Sequence, residues 1–116
     1  MQSIMKYVKL VPDSVCRIPI HVKLHGEGLS EKGEPFTDFE ADLMCNYQDG
    51  AKTVMTEQKK LVEISAKAYF NGDIAPDMAV ISAGEVKVFG ARRHVLRGVK
   101  ARNPDGTVNY TCLELI

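Results

Sequence analysis

The histidines and acidic residues of the chain are the first candidates for metal chemistry. His21 and His25 fall on one face of a predicted strand, but about 13 Å of strand would separate them, too far to share a zinc ion. We therefore expect solvent-exposed histidines beside a charged loop. Asp38, Glu40 and Asp42 alternate along a second predicted strand and offer the oxygen ligands that hard cations prefer. Acidic residues on the wet face of a strand need no metal, and no metal site is predicted.

A second candidate group is basic and lies in the C-terminal half of the chain. It comprises Arg92, Arg93, Arg97 and Lys100. These side chains, with the neighbouring His94, could contact phosphate or an acidic protein surface. The alternative is a charged strand face in solvent. Fifteen basic and fifteen acidic residues give a net charge of zero, so bulk charge favours neither nucleic acid nor an anionic membrane as a partner.

Cysteine is the remaining candidate nucleophile. Cys16, Cys45 and Cys112 fall on or near apolar strand faces, which indicates buried thiols, and no positioned base can be identified for them. Their odd number and wide spacing indicate reduced thiols in the cytosol. The sequence has no G-x-S-x-G, phosphate-binding or dinucleotide-binding motif. We therefore predict no catalytic residue and no cofactor site, and we do not expect an enzyme.

Strands must position all of these residues. Alternating apolar and polar residues predict strands at 15–24, 39–48 and 61–70. Pro19 requires a sheet edge, or a position where a backbone N–H would point to solvent. A helix is the alternative for the third segment, although a period of two fits better. Asp49-Gly50 predicts a hairpin turn, and 52–60 is predicted as a strand followed by a polar turn.

The C-terminal part predicts a hairpin. Asn103-Pro104-Asp105-Gly106 has type I turn chemistry and joins strands at 94–102 and 107–115, after a further strand at 85–90. Apolar residues occur on both sides of the last strand, so either the fold covers both faces or one face meets a partner. Two loops complete the pattern, at 26–35 and 71–84. The second loop could instead hold a short helix over a barrel mouth.

The predicted fold class is all-β: a small antiparallel barrel or sandwich of about six strands with long loops. The 116 residues suit one domain, 1–116, with an N-terminal arm at 1–12. No apolar run approaches the roughly 18 residues of a membrane helix, and the first residues lack the apolar core of a signal peptide. We expect neither a membrane partner nor export.

Several segments together resemble one protein family. They are Leu10-Val11-Pro12-Asp13-Ser14, Gly33-Glu34-Pro35, Asn71-Gly72-Asp73-Ile74-Ala75-Pro76, Arg102-Asn103-Pro104-Asp105-Gly106-Thr107 and Leu113-Glu114-Leu115. In these segments the chain is similar to small head-tail joining proteins, the head-closure or minor capsid proteins of tailed phages and prophages of Gram-positive bacteria. The similarity covers nearly the whole chain, but it consists of turn and strand patterns rather than catalytic signatures.

The resemblance implies a small β-barrel with long loops and a structural role. Such a protein adds as a ring of identical subunits beneath the portal and adaptor, closes the capsid exit and presents a surface to the tail. DNA would meet only its lumen, and the protein would pass from the host cytoplasm into the virion. Loops would make the partner contacts, and the residues expected to do so are Leu29, Glu31, Lys32, Asp73, Ile74 and Met78.

Two other functions stay open. A small ligand- or nucleic-acid-binding barrel should carry stacking aromatics on one face. Here Tyr47, Tyr69, Phe70 and Tyr110 are scattered over the predicted faces, which counts against that function. An accessory subunit of an enzyme is the other alternative. The connector hypothesis predicts a chain that is mainly monomeric when dilute and joins a ring on its portal-side partner.

Overall fold

The computed structural model describes residues 7–29, 33, 35–55 and 58–116, and side chains within these ranges except those of 27–29 and 35–38. Within these residues the chain forms a 3-10 turn, Asp13–Val15, and six strands. The strands are β1 (Ile18–Leu29), β2 (Pro35–Met55), β3 (Leu61–Asn71), β4 (Gly84–Val88), β5 (Ala91–Arg102) and β6 (Val108–Leu115). No helix in the described part of the chain has the length and apolar character needed to cross a membrane.

All six strands are antiparallel and form one sheet that closes in a ring, in the order β1-β2-β3-β6-β5-β4. The prediction of an all-β fold of about six strands is therefore confirmed. The ring is uneven, because β2 has 21 residues and β4 only five. The molecule measures 54 × 31 × 31 Å, since the β2–β3 hairpin continues beyond the ends of its neighbours.

The core lies inside the ring and follows the predicted alternation. On β1, Ile20, Val22 and Leu24 are buried while His21 and Lys23 face outward. The other strands and one loop contribute further buried side chains: Cys45, Ile64, Ala66, Ala68, Phe70, Ala75, Ile81, Val86, Val88, Val95, Leu113 and Leu115. Full burial of each large apolar side chain contributes about 1.5–3 kcal/mol.

The first strand starts later and ends later than predicted. The 3-10 turn occupies 13–15, β1 begins at Ile18 and it continues to Leu29, inside the predicted 26–35 loop. Pro19 lies at the end of the sheet on the β4 side, because the ladder between β1 and β4 begins one residue later, at Ile20. A missing N–H at Pro19 therefore removes no hydrogen bond from that ladder.

The predicted hairpin turn at Asp49-Gly50 is wrong. β2 runs through both residues to Met55, and its register against β3 shifts between Asp49 and Lys52. Gly50 does not have the positive φ that a two-residue hairpin turn requires, so this glycine marks a bulge in a continuous strand. The strand at 52–55 and the helix-free interpretation of 61–70 are confirmed by β2 and β3.

A turn that was not predicted from the sequence separates β4 from β5. The predicted strand at 85–90 ends at Val88, and Phe89 and Gly90 form a two-residue turn with φ values of 51° and 75°. The predicted turn at 103–106 is present, since the Gly106 N–H donates to the Asn103 carbonyl at 2.9 Å. The fold covers both faces of the last strand, because every residue from Thr111 to Leu115 is buried.

The segment 72–83 is a loop without a helix. Its Ile81 and Ala75 belong to the core. The Gly98 N–H donates to the Ile81 carbonyl at 2.8 Å, and the His25 N–H donates to the Ala83 carbonyl at 3.1 Å. The end of this loop therefore fills the space between β1 and β5 where β4 no longer separates them.

Residues 7–12 of the predicted N-terminal arm lie outside the barrel, against the start of β6; residues 1–6 lie outside the described part of the chain. The side chain of Asn109 accepts from the Leu10 N–H at 3.0 Å and donates to the Val8 carbonyl at 2.8 Å. The apolar side chains of Val8 and Leu10 are exposed.

Candidate functional site

An exposed apolar patch lies at the turn between β4 and β5. Phe89 is 70% exposed and Met44 is 51% exposed, and both border one shallow depression with Pro19. We call Pro19, Met44 and Phe89 the tip patch. The Phe89 ring meets Tyr47 edge-on, with centroids 5.3 Å apart. Exposed apolar clusters that include an aromatic ring are typical of protein-binding surfaces.

The backbone of Phe89 is strained. Its φ of 51° lies in the left-handed region, where a residue with a Cβ pays about 1 kcal/mol or more. Asn-Gly is the preferred sequence for such a turn because asparagine tolerates this conformation. A phenylalanine in this turn therefore carries a backbone cost, while most of its ring lies in solvent and the ring's edge contact is with Tyr47.

A second apolar surface is a groove beside the β2–β3 hairpin. It has a volume of about 310 Å³, and we call it the arm groove; its apolar lining residues are Val54, Met55, Val80, Ile81 and Leu96. Val80 is 73% exposed and Met55 is 60% exposed. The polar residues at the groove are Gln58, Ser82 and Arg97. The arm groove and the tip patch share no lining residue.

The predicted partner-contact residues fall in different environments. Leu29 ends β1, and Glu31 and Lys32 lie outside the described residues. Ile74 and Met78 are partly buried and pack against the core. The exposed surface of the second loop is formed instead by neighbouring residues, namely Pro76, Asp77, Ala79, Val80, Ser82 and Ala83.

Lys100 holds the second loop against the barrel. Its ammonium group lies 3.0 Å from a carboxylate oxygen of Asp73 and donates to the Ala75 carbonyl at 2.8 Å and to the Met78 carbonyl. The Lys100 side chain is only 8% exposed. The loop 72–83 covers Lys100, so its ammonium group is not exposed at the surface. Asp73 and Lys100 form a structural ion pair beneath that loop.

The predicted arginines are also engaged within the chain. The Arg97 Nε lies 2.6 Å from Oε1 of the buried Glu114, its register partner on β6. Arg93 donates to the Ser65 hydroxyl at 2.7 Å, and Arg92 lies 3.7 Å from Glu85. Each of these arginines therefore has an acidic or hydrogen-bonding partner on another strand.

His21 was predicted to be a solvent-exposed histidine. In the structure its ring lies between two carboxylates. Nδ1 is 2.7 Å from Asp42 and Nε2 is 2.7 Å from Glu40. These hydrogen bonds raise the pKa of His21 above its usual value, and the bond to Asp42 has the larger effect. His25 is partly buried, and its Nδ1 is buried without a hydrogen-bond partner among the residues that the structure describes. Among the described side chains, no three or more His, Cys, Asp or Glu residues are arranged to hold a metal ion.

The prediction of buried thiols is confirmed. Cys16, Cys45 and Cys112 are all buried and unpaired. Burial raises the pKa of Cys45 to about 12 and that of Cys112 to about 11. The Cys45 and Cys112 thiols are therefore protonated at neutral pH, which makes them poor nucleophiles.

The aromatic residues are only partly scattered. Phe70 lies in the core, whereas Tyr69 and Tyr110 meet on β3 and β6 with ring centroids 6.0 Å apart. Burial raises the pKa of Tyr69. These two rings pack on one another and do not extend into a row of stacking platforms with Tyr47, which contacts Phe89 instead.

Sequence patterns missed both apolar surfaces. The tip patch could have been suspected from Gly90, which follows the alternating 85–88 segment and could close a two-residue turn with the residue before it. The arm groove had no such signal, because its walls come from β2, β5 and the loop 72–83. A comparison with known proteins found no matching family model and no curated protein similar to the chain.

Proposed function

We propose that the protein is a structural component of the head-tail interface of a tailed phage or prophage. It would add as a ring of identical subunits below the portal and adaptor, close the capsid exit and accept the tail. The resemblance of its turn and strand segments to head-tail joining proteins supports this proposal, and a small all-β barrel is the fold which that resemblance implies.

The observation that carries the proposal is the presence of two separate exposed apolar surfaces on one closed barrel. The tip patch lies at the β4–β5 turn, and the arm groove lies beside the β2–β3 hairpin. A subunit with two distinct adhesive surfaces can contact two neighbours at once, as a member of a ring or stack must. A net charge of zero is compatible with contacts made mainly to protein.

Co-sedimentation tests the proposal. The labelled chain is expected to sediment with purified portal–adaptor complexes and to stay in the supernatant without them. A Met44→Ser variant should sediment less, because it makes the tip patch more polar. Failure of the unmodified chain to bind such complexes would contradict the proposal.

The alternative, a nucleic-acid-binding barrel, makes an opposite prediction. It requires a mobility shift with single-stranded oligonucleotides that weakens as salt is raised. The proposed function predicts no such shift.

A further inference from the structure

Asparagine side chains hold the segment that precedes β1, residues 7–15, which we call the strap. They belong to Asn46 on β2, Asn71 on β3 and Asn109 on β6. Asn71 Nδ2 donates to Oδ1 of Asp13 at 2.9 Å. The apolar side chains of Val8 and Leu10 are 79% and 66% exposed, so burial contributes little there. The amide contacts are therefore important for keeping the strap on the barrel.

Asn71 differs from the other asparagines in the residue that follows it. The sequence has four asparagines; Asn71 precedes a glycine, whereas the others precede tyrosine or proline. In an Asn-Gly sequence no side chain hinders the backbone nitrogen of the glycine from reaching the amide carbon of the asparagine. A tyrosine hinders this approach, and a proline nitrogen carries no proton to lose. Asn71-Gly72 is therefore the sequence in which the side-chain amide is most open to attack by the backbone.

The surroundings of Gly72 decide when that attack can occur. Asn71 and Gly72 are both partly exposed, and a Cβ at Gly72 would meet nothing within 4 Å. The Gly72 N–H donates to the Asn109 carbonyl at 3.0 Å, and the Gly72 carbonyl accepts from the Thr111 hydroxyl at 2.8 Å. The nitrogen is thus occupied in the closed fold and becomes available when the end of β3 opens, and element ends open more readily than the core.

We propose that Asn71 is a site of spontaneous deamidation and that this modification loosens the strap. The Gly72 nitrogen loses its proton to water and attacks the side-chain carbon of Asn71. The bond from that carbon to Nδ2 breaks, and ammonia leaves. Water then opens the resulting five-membered imide at either carbonyl and gives aspartate or isoaspartate. The net reaction consumes water, releases ammonia and needs no other reactant. The inference does not depend on the connector role.

Both products break the contact between residue 71 and Asp13. The new carboxylate has no N–H to donate and lies beside another carboxylate, so repulsion replaces the hydrogen bond. Isoaspartate also adds a methylene group to the backbone, which disturbs the pairing of residue 71 with Tyr110 and the neighbouring bond from Gly72 to Asn109. Because Asn109 itself binds the strap at Val8 and Leu10, isoaspartate weakens a second attachment.

Mass spectrometry of aged protein tests the reaction. The folded chain, kept at mildly alkaline pH, should show replacement of NH2 by OH in the tryptic peptide that contains Asn71. The peptides that contain Asn46, Asn103 and Asn109 should stay unchanged. The urea-unfolded chain gives the rate without protection by the fold. Conversion at Asn71 in the unfolded chain but none in the folded chain would overturn the proposal.

Two variants test the link between the reaction and the strap. Asp13→Ala removes the acceptor of the Asn71 amide and leaves the reacting groups intact, so its conversion should be at least about threefold faster. Asn71→Gln keeps a side-chain amide, but attack on it would have to form a six-membered ring, so this variant should stay unmodified. Equal rates for Asp13→Ala and the unmodified chain would show that the strap does not restrain Asn71 and would overturn the link.

Limited proteolysis tests the effect on the strap. The bond after Lys9 lies between the two backbone groups that Asn109 holds, so trypsin should cut it when the strap leaves the barrel. Asn71→Asp, which reproduces one product, should be cut at least about fivefold faster than the unmodified chain. Thr53→Asp adds the same charge at an exposed position on the β2–β3 hairpin and should not change the rate. Equal cleavage of Asn71→Asp and the unmodified chain would overturn the proposed loosening.

Discussion

His21 joins β1 to the acidic outer face of β2. A neutral imidazole can donate through only one nitrogen, whereas both carboxylates favour the charged form, which donates through both. Lys23, Lys87 and Arg92 border the same surface. All of these groups are at least partly exposed, so the interaction is screened by salt.

We predict that the cost of His21→Gln depends on pH. The pKa of His21 is raised in the folded chain, so its stabilising contribution is present below the unfolded pKa near 6.5 and is lost as pH rises through the folded pKa. Urea denaturation should therefore show a larger loss of unfolding free energy at about pH 5.5 than at about pH 8.5. His94→Gln, at an exposed position on β5, is the matched control for the loss of an imidazole. Equal costs of His21→Gln at both pH values would contradict this account.

Lys100 is the residue whose environment differs most from the expectation. A lysine in an alternating strand usually faces solvent, but here the loop 72–83 folds over it and supplies Asp73 and two carbonyl groups. Sequence periodicity cannot show this, because the covering groups come from 22 to 27 positions away along the chain.

Lys100→Met should destabilise the protein by about 3 kcal/mol, because it leaves Asp73 without its cation and two carbonyl groups without a donor. Lys87→Met replaces an exposed lysine on β4 and should cost less than about 0.5 kcal/mol. Chemical denaturation measures both values. Similar costs for the two variants would show that the buried ion pair contributes little.

At the scale of elements, Gly98 allows the loop 72–83 to approach β5 closely. A Cβ at Gly98 would lie 2.6 Å from the Ile81 Cβ, closer than real contacts allow. Ile81 is buried in the core and pairs with Gly98 through the backbone. The absence of a side chain at Gly98 thus lets the loop replace β4 beside β5.

Gly98→Ala is expected to destabilise the fold by about 1–3 kcal/mol, because the loop must shift to relieve the overlap with Ile81. Gly50→Ala is the matched control, since a Cβ at Gly50 meets nothing within 4 Å and its φ is not in the left-handed region. It should be neutral or slightly stabilising. Thermal unfolding of both variants gives the comparison, and a neutral Gly98→Ala would refute the close packing.

The elements that sequence patterns predicted well are those fixed by local chemistry. The alternation on β1, β2 and β3 and the turn at Asn103–Gly106 follow from side-chain period and turn residues. The Asp49-Gly50 prediction failed because long-range pairing with β3 continues on both sides of the glycine. Pairing with β3 therefore outweighed the turn propensity of Asp49-Gly50.

At the scale of the whole molecule, ring closure could not be derived from any single segment. The antiparallel contact between β1 and β4 joins residues 60 to 68 positions apart, and strand patterns are compatible with either a sandwich or a barrel. The candidate surfaces depend on this closure, because each is built from elements distant in the sequence. The elongated shape also follows from it, since β2 and β3 extend past the closed part.

The connector role is the central claim, and negative-stain imaging of portal–adaptor complexes tests it most directly. Complexes incubated with the chain should show an added ring of density at the adaptor end, absent from complexes without it. Complexes that look the same with and without the unmodified chain would contradict the proposed function.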